Sequence, residues 1–313
     1  MPVYNDWSSA ESVVTELDGV FREENLRASI LLVNDGSSSP RPDAYLARKV
    51  ANIDRVDVLA LRRNVGHQRA IALGLTYIYE QRPCDTIVIM DADGEDRPQD
   101  VRMLLQKLRD ENGKQIVFAE RRRRSESTLF VFFYHLYCLI HVLLTGIRVR
   151  VGNFSVVPFH CLGTLAVSAE LWNHYAAAVL HSRLPHTMVP TQRGKRISGQ
   201  SKMNFVSLVT HGLRAISVYS DIVGVRLLIA AAGLMTVVGG LIAALIVIRT
   251  ATDWAVPAWA AYAPWLLLIL LMQIAGLSFA FVLFVLHTNE GAHFLPLRDY
   301  RYFIQGVEEI STP

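Results

Sequence analysis

Two long apolar runs toward the C-terminal end constrain this chain most. Leu227–Ile248 is 22 residues without an ionisable side chain, and Pro264–Leu286 is a second such run of 23. At about 1.5 Å rise per residue, either one as a helix would cross a hydrocarbon core of roughly 30 Å. Pro264 suits a first helical turn and Trp265 suits the membrane interface. The sequence thus predicts an integral, two-pass membrane protein with spans at 227–248 and 264–286. Ala230, Ala231, Ala232, Gly233, Gly239 and Gly240 are small enough to let the first span pack closely on its neighbour.

Flanking charge sets the expected orientation. Arg183, Arg193, Lys195, Arg196, Lys202, Arg214 and Arg226 precede the first span, against a single acid, Asp221. The connecting loop holds only Arg249 and Asp253. The positive-inside rule then places both termini in the cytoplasm and the Trp254–Tyr262 loop outside. The polar, acidic N-terminal stretch does not read as a signal peptide. A third apolar run, Leu129–Ile147, contains His135, His141, Tyr134 and Tyr137 and follows Arg121–Arg124. It reads as an interfacial helix with leucine and aromatic side chains dipping into lipid. As a span it would separate the two halves of the site described next.

Residues 1–200 read as one catalytic domain of α/β class. Val13, Leu17, Val20 and Phe21 recur at helical spacing, and short aliphatic runs follow at Ile30–Val33, Val56–Leu61, Thr86–Met90 and Ile116–Phe118. Helical segments near Gln68–Tyr79 and Pro98–Arg109 separate the later runs. That rhythm predicts a mostly parallel sheet with helices on both faces. Residues 201–226 read as amphipathic juxtamembrane helices, with Phe205, Leu208, Val209, Leu213 and Ile216 at helical spacing that suits a core-facing helix almost as well, and 287–313 as a cytoplasmic tail. A net charge of +3 gives no reason to expect a nucleic-acid partner. Cys84, Cys138 and Cys161 lack metal-like spacing and read as reduced thiols.

In open α/β sheets, ligands sit beyond the carboxyl ends of the strands. Three polar clusters fall at such ends: Asn34-Asp35-Gly36-Ser37, Asn64-Val65-Gly66-His67-Gln68 and Asp91-Ala92-Asp93-Gly94-Glu95-Asp96. Four carboxylates within six residues repel one another unless something neutralises them. A divalent, oxygen-loving cation does so, with Mg²⁺ or Mn²⁺ bridging to phosphates. The competing reading is a solvated turn at a helix start, where acids are favourable anyway. His67 and Gln68 open a helix whose N-terminus suits phosphate, or they simply cap it.

These segments resemble glycosyltransferase family 2, of GT-A fold, over Met1 to about Asp221. The resemblance is carried, in order, by Pro2-Val3-Tyr4-Asn5-Asp6, Val33–Ser37, Asn64–Gln68 and Met90–Asp93. Arg196-Ile197-Ser198-Gly199-Gln200-Ser201-Lys202 is similar to the R-x-x-G-x-S-K segment of the polyprenyl-phosphate branch, which holds dolichyl-phosphate mannose synthases and bactoprenol glucosyltransferases. The resemblance implies that Pro2, Tyr4, Asn5, Asp6, Asp35, Asn64, Gly66, His67, Gln68, Asp91 and Ala92 hold a nucleotide diphosphate sugar. Asp91, Asp93 and Glu95 would ligate the metal. Arg196, Ser201 and Lys202, with Arg121 and Arg124, would meet the acceptor's phosphate, and Asp93, Arg196 and Lys202 would be the catalytic set. Attraction to anionic lipid explains the Arg121–Arg124 run equally well.

The expected activity is inverting, metal-assisted transfer of a sugar to a polyprenyl phosphate. The rivals are transfer to a glycolipid hydroxyl and a non-catalytic membrane adaptor. Oligomeric state is left open, a homo-oligomer included. Two departures from the family pattern stand out. Only Met1 precedes Pro2, so either the start lies upstream or the sheet lacks most of its first strand. The branch's G-x-F-R reads Gly152-Asn153-Phe154-Ser155, without the arginine.

Overall fold

The computed structural model describes residues 1–42, 50–121, 138–147, 151–198, 205–251, 262–290 and 294–311. The chain divides into two compact units. The first joins Met1–Tyr134, Val149–Val218 and Phe294–Pro313; the second joins His135–Arg148 and Tyr219–His293.

The first unit holds two four-stranded sheets. In one, β1 (Pro2–Val3), β2 (Ala28–Asn34) and β3 (Ile53–Leu61) run parallel, and β8 (Ile304–Ser311) lies antiparallel beside β3. The other has β4 (Thr86–Ile89), β6 (Ser155–Pro158), β5 (Ile116–Arg121) and β7 (His186–Thr191) in that order. There β6 is antiparallel to both neighbours, while β5 and β7 are parallel. The four strands expected from aliphatic runs are β2, β3, β4 and β5. The antiparallel pairings come from β6 and β8, which lack a clear aliphatic signature, and they make both sheets mixed.

Alternation along the strands decides which helix covers which face. Ile30, Leu32, Val56, Val58, Val117 and Val156 share one core with α1 (Trp7–Glu23) and α3 (Asp100–Asp110). Val33, Leu59 and Leu61 point the other way, against Ala70, Leu73 and Tyr77 of α2 (His67–Gln81). Ile87, Ile89, Ile116 and Phe118 meet α2, α4 (Phe159–Ala166) and α5 (Tyr175–His181) on that same side. Helices therefore cover both faces, as the βαβ rhythm predicts.

The segment after the second apolar run is more than a tail. Tyr300 is buried, its hydroxyl donates to Glu80 at 2.7 Å, and Trp172 lies against Phe294 and Phe303. The strand β8 then extends the first sheet, with Arg41 paired to Glu308 and Arg55 to Glu309. Residues on either side of the apolar helices thus build one folded unit.

In the second unit, α7 (Ser220–Ala251) and α8 (Ala263–Glu290) lie along each other, and both are long and apolar enough to cross a membrane. The predicted spans fall inside them. Of the small residues expected to allow close packing, Gly233, Gly239 and Gly240 make no such contact: a side chain at any of the three would meet nothing within 4 Å. Of the Leu129–Ile147 run, residues 138–145 are helical, exposing Leu139 and Leu143 and burying His141 and Thr145. Arg226 donates to the carbonyl of Leu143 at 2.9 Å and so caps this short helix, where Gly146 turns the chain at φ +78°. The rest of the run, and residues 252–261 of the connecting loop, lie outside the described residues.

Candidate active site

The three polar strand ends meet in the first unit, and backbone geometry explains how. Asp35 follows β2 and is buried; its two carboxylate oxygens accept the backbone N–H of Val65 at 2.7 Å and Gly66 at 2.9 Å. It therefore pins the loop after β3 to the end of β2. Burial raises its pKa above the usual carboxylate range, against the pull of those two N–H donors. Gly36, at φ +65°, is needed here because a Cβ would lie 2.5 Å from the Asn64 nitrogen. Asn5, at φ +60°, organises the serine loop: its Oδ1 accepts from Ser39 N at 2.9 Å, and its own N–H donates to Ser37 Oγ at 2.9 Å. Pro2 lies in β1, and Tyr4 stands exposed at its end.

The acidic turn after β4 is held from three sides. Asp96 is buried and accepts the Asp91 N–H at 2.9 Å. His67 Nε2 stands 3.1 Å from Asp91 Oδ1 and 2.9 Å from Asn153 Nδ2. Loss of water around the imidazole opposes its charge, but Asp91, Asp96 and Asp93 outweigh that and raise its pKa. Gln68 is buried: its amide donates to Asn153 at 3.0 Å and accepts the Tyr175 N–H at 2.8 Å. Gln68 is thus a structural tie, while His67 faces the acids. Ser155, where the branch pattern has arginine, is buried and bonded to the Tyr175 hydroxyl at 2.8 Å.

Residues 193–198 form a basic strap across the same turn. The N–H of Gly194 donates to the Glu95 carbonyl at 2.8 Å, and that of Ile197 to the Asp93 carbonyl at 3.0 Å. Arg193 pairs with the Glu95 carboxylate. Arg196 stands 3.5 Å from both Asp93 and Asp6, bridging the turn to the end of β1. Gly94, at φ +85°, leaves room for Ile197, whose Cγ1 would sit 2.5 Å from a Cβ there. Burial is the main cause that raises the Asp93 pKa, and repulsion from Asp91 and Glu95 adds to it.

Whether this set suits a divalent ion follows from donor chemistry. Among the described residues no three carboxylate, imidazole or thiol groups converge as a ready-made cage. Mg²⁺ and Mn²⁺ do not need one, because one or two carboxylates suffice when water and substrate phosphates complete the shell. Asp91 and Asp93 supply such a pair and fit. Glu95, the third expected ligand, is engaged by Arg193 instead. The side chain of Arg121 and all of Arg124, Ser201 and Lys202 lie outside the described residues. Arg193, Asp96 and Asn153 are site residues to which the sequence gives no role of their own: Arg193 reads there as flanking charge, Asp96 as one of four acids in the turn, and Asn153 as part of a departure from the branch pattern.

An α/β unit that gathers an acidic turn, a basic strap and a helix N-terminus at its strand ends, followed by two helices able to cross a membrane, defines a membrane enzyme. The glycosyl transferase family 2 profile matches residues 1–165, and the chain belongs to that family: it is a membrane glycosyltransferase. It is 26% identical over 226 residues to the uncharacterized glycosyltransferase YkcC of Bacillus subtilis (strain 168), covering 70% of this chain and 67% of that one. It is 25% identical to the undecaprenyl-phosphate 4-deoxy-4-formamido-L-arabinose transferase of Proteus mirabilis (strain HI4320), covering 100% of this chain and 94% of that one. The enzyme of the same name from Klebsiella pneumoniae (strain 342) is 24% identical, over 89% of this chain and 83% of that one.

Proposed function

We propose that the enzyme moves a sugar from a nucleotide diphosphate donor to the phosphate of a membrane polyprenol, with inversion at the anomeric carbon, on the cytoplasmic face. The observation that carries this reading is the Asp91–Asp93 pair, set at the strand ends and bridged through Arg196 to Asp6. The relatives named for undecaprenyl phosphate support the acceptor class, since the likeness runs through both apolar helices.

The chemistry is a single displacement. A phosphomonoester oxygen attacks the anomeric carbon from the face opposite the diphosphate, and the bond to the diphosphate oxygen breaks. A phosphomonoester has a second pKa near 6, so at neutral pH the nucleophile is already ionised and needs no general base. Mg²⁺ or Mn²⁺, held by Asp91 and Asp93, would stabilise the charge that develops on the departing diphosphate. The protein's own share is positioning and charge. Tyr4, Asn5 and Asp6 meet the nucleotide beside the serine loop, and Asp35 holds the 64–66 loop in place for it. Arg196 offsets the acids, with His67 set against Asp91, and leaves the turn able to receive two anionic substrates. Arg121, Arg124, Ser201 and Lys202 keep their expected role toward the acceptor's phosphate on motif grounds.

Topology supports the same picture. Two crossings return the chain to the side it left, as the pairing of β8 with β3 requires, and the basic flank of the first span favours the cytoplasm. The test uses the full chain in detergent with Mn²⁺, nucleotide sugars and undecaprenyl phosphate. Asp93→Ala should lower transfer by about 100-fold or more while the fold is retained; full activity in that variant rejects the assignment.

A further inference from the structure

Most arginines near the site hold a carboxylate: Arg193 pairs with Glu95, Arg196 with Asp93 and Asp6, and Arg301 with Glu80. Arg63, Arg69 and Arg214 do not. Among the described residues no carboxylate hydrogen-bonds or ion-pairs with any of the three guanidinium groups. Yet they share one place. Arg63 and Arg69 flank Gly66 by three residues on either side, and Arg214, on α6 (Phe205–Ser217), brings a guanidinium nitrogen within 3.8 Å of where a Gly66 side chain would begin. Arg69 is held from below, its guanidinium 4.8 Å from the centre of the Trp172 ring, which itself packs on Phe294 and Phe303.

Guanidinium groups stay charged in proteins, so three together repel one another until an anion joins them. Burial lowers the Arg69 pKa, and Arg214 and Arg63 lower it further. Their forked N–H donors match phosphate oxygens. Location narrows the source of the phosphate. On one side the cluster adjoins His67, which touches Asp91. On the other, α6 exposes Val209 and Leu213 and ends shortly before Ser220, where the first membrane helix starts. An amphipathic helix joined within three residues to an apolar helix long enough to cross a membrane favours a lipid's phosphate over that of a soluble donor. We infer that Arg63, Arg69 and Arg214 form a binding site for the phosphate head of the lipid acceptor, which positions it beside the acidic turn. The acceptor role rests on the function proposed above.

The test measures binding of farnesyl phosphate, an isoprenyl monophosphate, to the full-length protein in neutral detergent or phosphatidylcholine nanodiscs. Arg69→Gln and Arg214→Gln are each expected to weaken it by about tenfold or more, and Arg214→Lys, which keeps the charge, by about threefold or less. Nucleoside diphosphate affinity should stay within about twofold, and transfer should show a raised acceptor KM with the donor KM unchanged. Thermal unfolding of each variant confirms that the fold is intact. Unchanged farnesyl phosphate affinity in a variant carrying both Arg69→Gln and Arg214→Gln would overturn the site, and so would a loss confined to the nucleoside diphosphate. Competition by phosphatidylglycerol nanodiscs as strong as by farnesyl phosphate would make the cluster a general headgroup site and overturn the acceptor role. If no nucleotide sugar supports transfer by the unaltered protein, the proposed function fails, while arginine-dependent farnesyl phosphate binding still upholds the site.

Discussion

Asp35 shows what a motif residue does once its neighbours are in place. The sequence marks it as a polar residue at a strand end, and the family resemblance points it at a nucleotide base; in the fold both of its oxygens are committed to the backbone of Val65 and Gly66. Such pairing depends on a loop 30 residues away, so no local pattern could reveal it. Gly36 next to it is legible only as a turn residue, although its role is to let the 63–64 backbone approach. Gly36→Ala should destabilise the protein by roughly 2–4 kcal/mol, combining left-handed strain with overpacking. Thermal or urea unfolding in detergent checks this, and a change below about 0.5 kcal/mol would mean the approach is loose. His67 gives a pH prediction. In protein stripped of divalent ions its imidazole should titrate above the ordinary value, because Asp91, Asp96 and Asp93 favour the charged form. The stabilisation from this pairing is complete below the unfolded histidine value of about 6.5 and is lost as pH rises through the higher folded value. Asp91→Asn should lower the value seen by imidazole NMR, and no movement would sever the link between the two residues.

Among the elements, the strands that announce themselves are those whose aliphatic runs end in polar clusters. β2, β3, β4 and β5 are buried on both faces and read as near-continuous apolar runs. β6 has two valines between a serine and a proline, and β7 carries histidine, threonine and proline, so neither offers an aliphatic run to detect. The strand β8 hides for another reason. It is an edge strand with Glu308 and Glu309 exposed, a composition that reads as a tail and also guards the sheet edge. Its partners supply the missing signal, since Arg41 and Arg55 answer the two acids and Glu80 answers Tyr300. Tyr300→Phe removes one hydrogen bond to a carboxylate and should cost about 1–2 kcal/mol of the first unit's stability. Deleting residues 304–313 bares the edge of β3, and size-exclusion chromatography in detergent should then show aggregation. A truncated chain that stays monodisperse, with unfolding unchanged, would make β8 dispensable.

For the whole molecule, the arrangement that matters most is a catalytic unit closed by residues from beyond its own membrane helices. Sequence alone reveals the two apolar spans, since length and the lack of charge decide them, but it gives no hint that the chain returns to finish the sheet. That return fixes a parity. Because β8 bonds along β3 from Leu61 to Val56, the segments before Ser220 and after Glu290 must occupy one compartment, and two full crossings satisfy this. If both helices cross fully, the segment that joins them is expected on the other side. Single cysteines introduced by Val256→Cys and Thr312→Cys, in a background with Cys84, Cys138 and Cys161 changed to serine or alanine, report this through a membrane-impermeant maleimide. In right-side-out vesicles only the first should label; in inverted vesicles only the second should. Labelling of both from one face would mean that the apolar helices do not each cross, and the return of β8 to the catalytic sheet would then need no membrane passage at all. Labelling of the pair with sides reversed would keep both crossings and move the catalytic unit, with its charged donor and lipid phosphate, to the outer face.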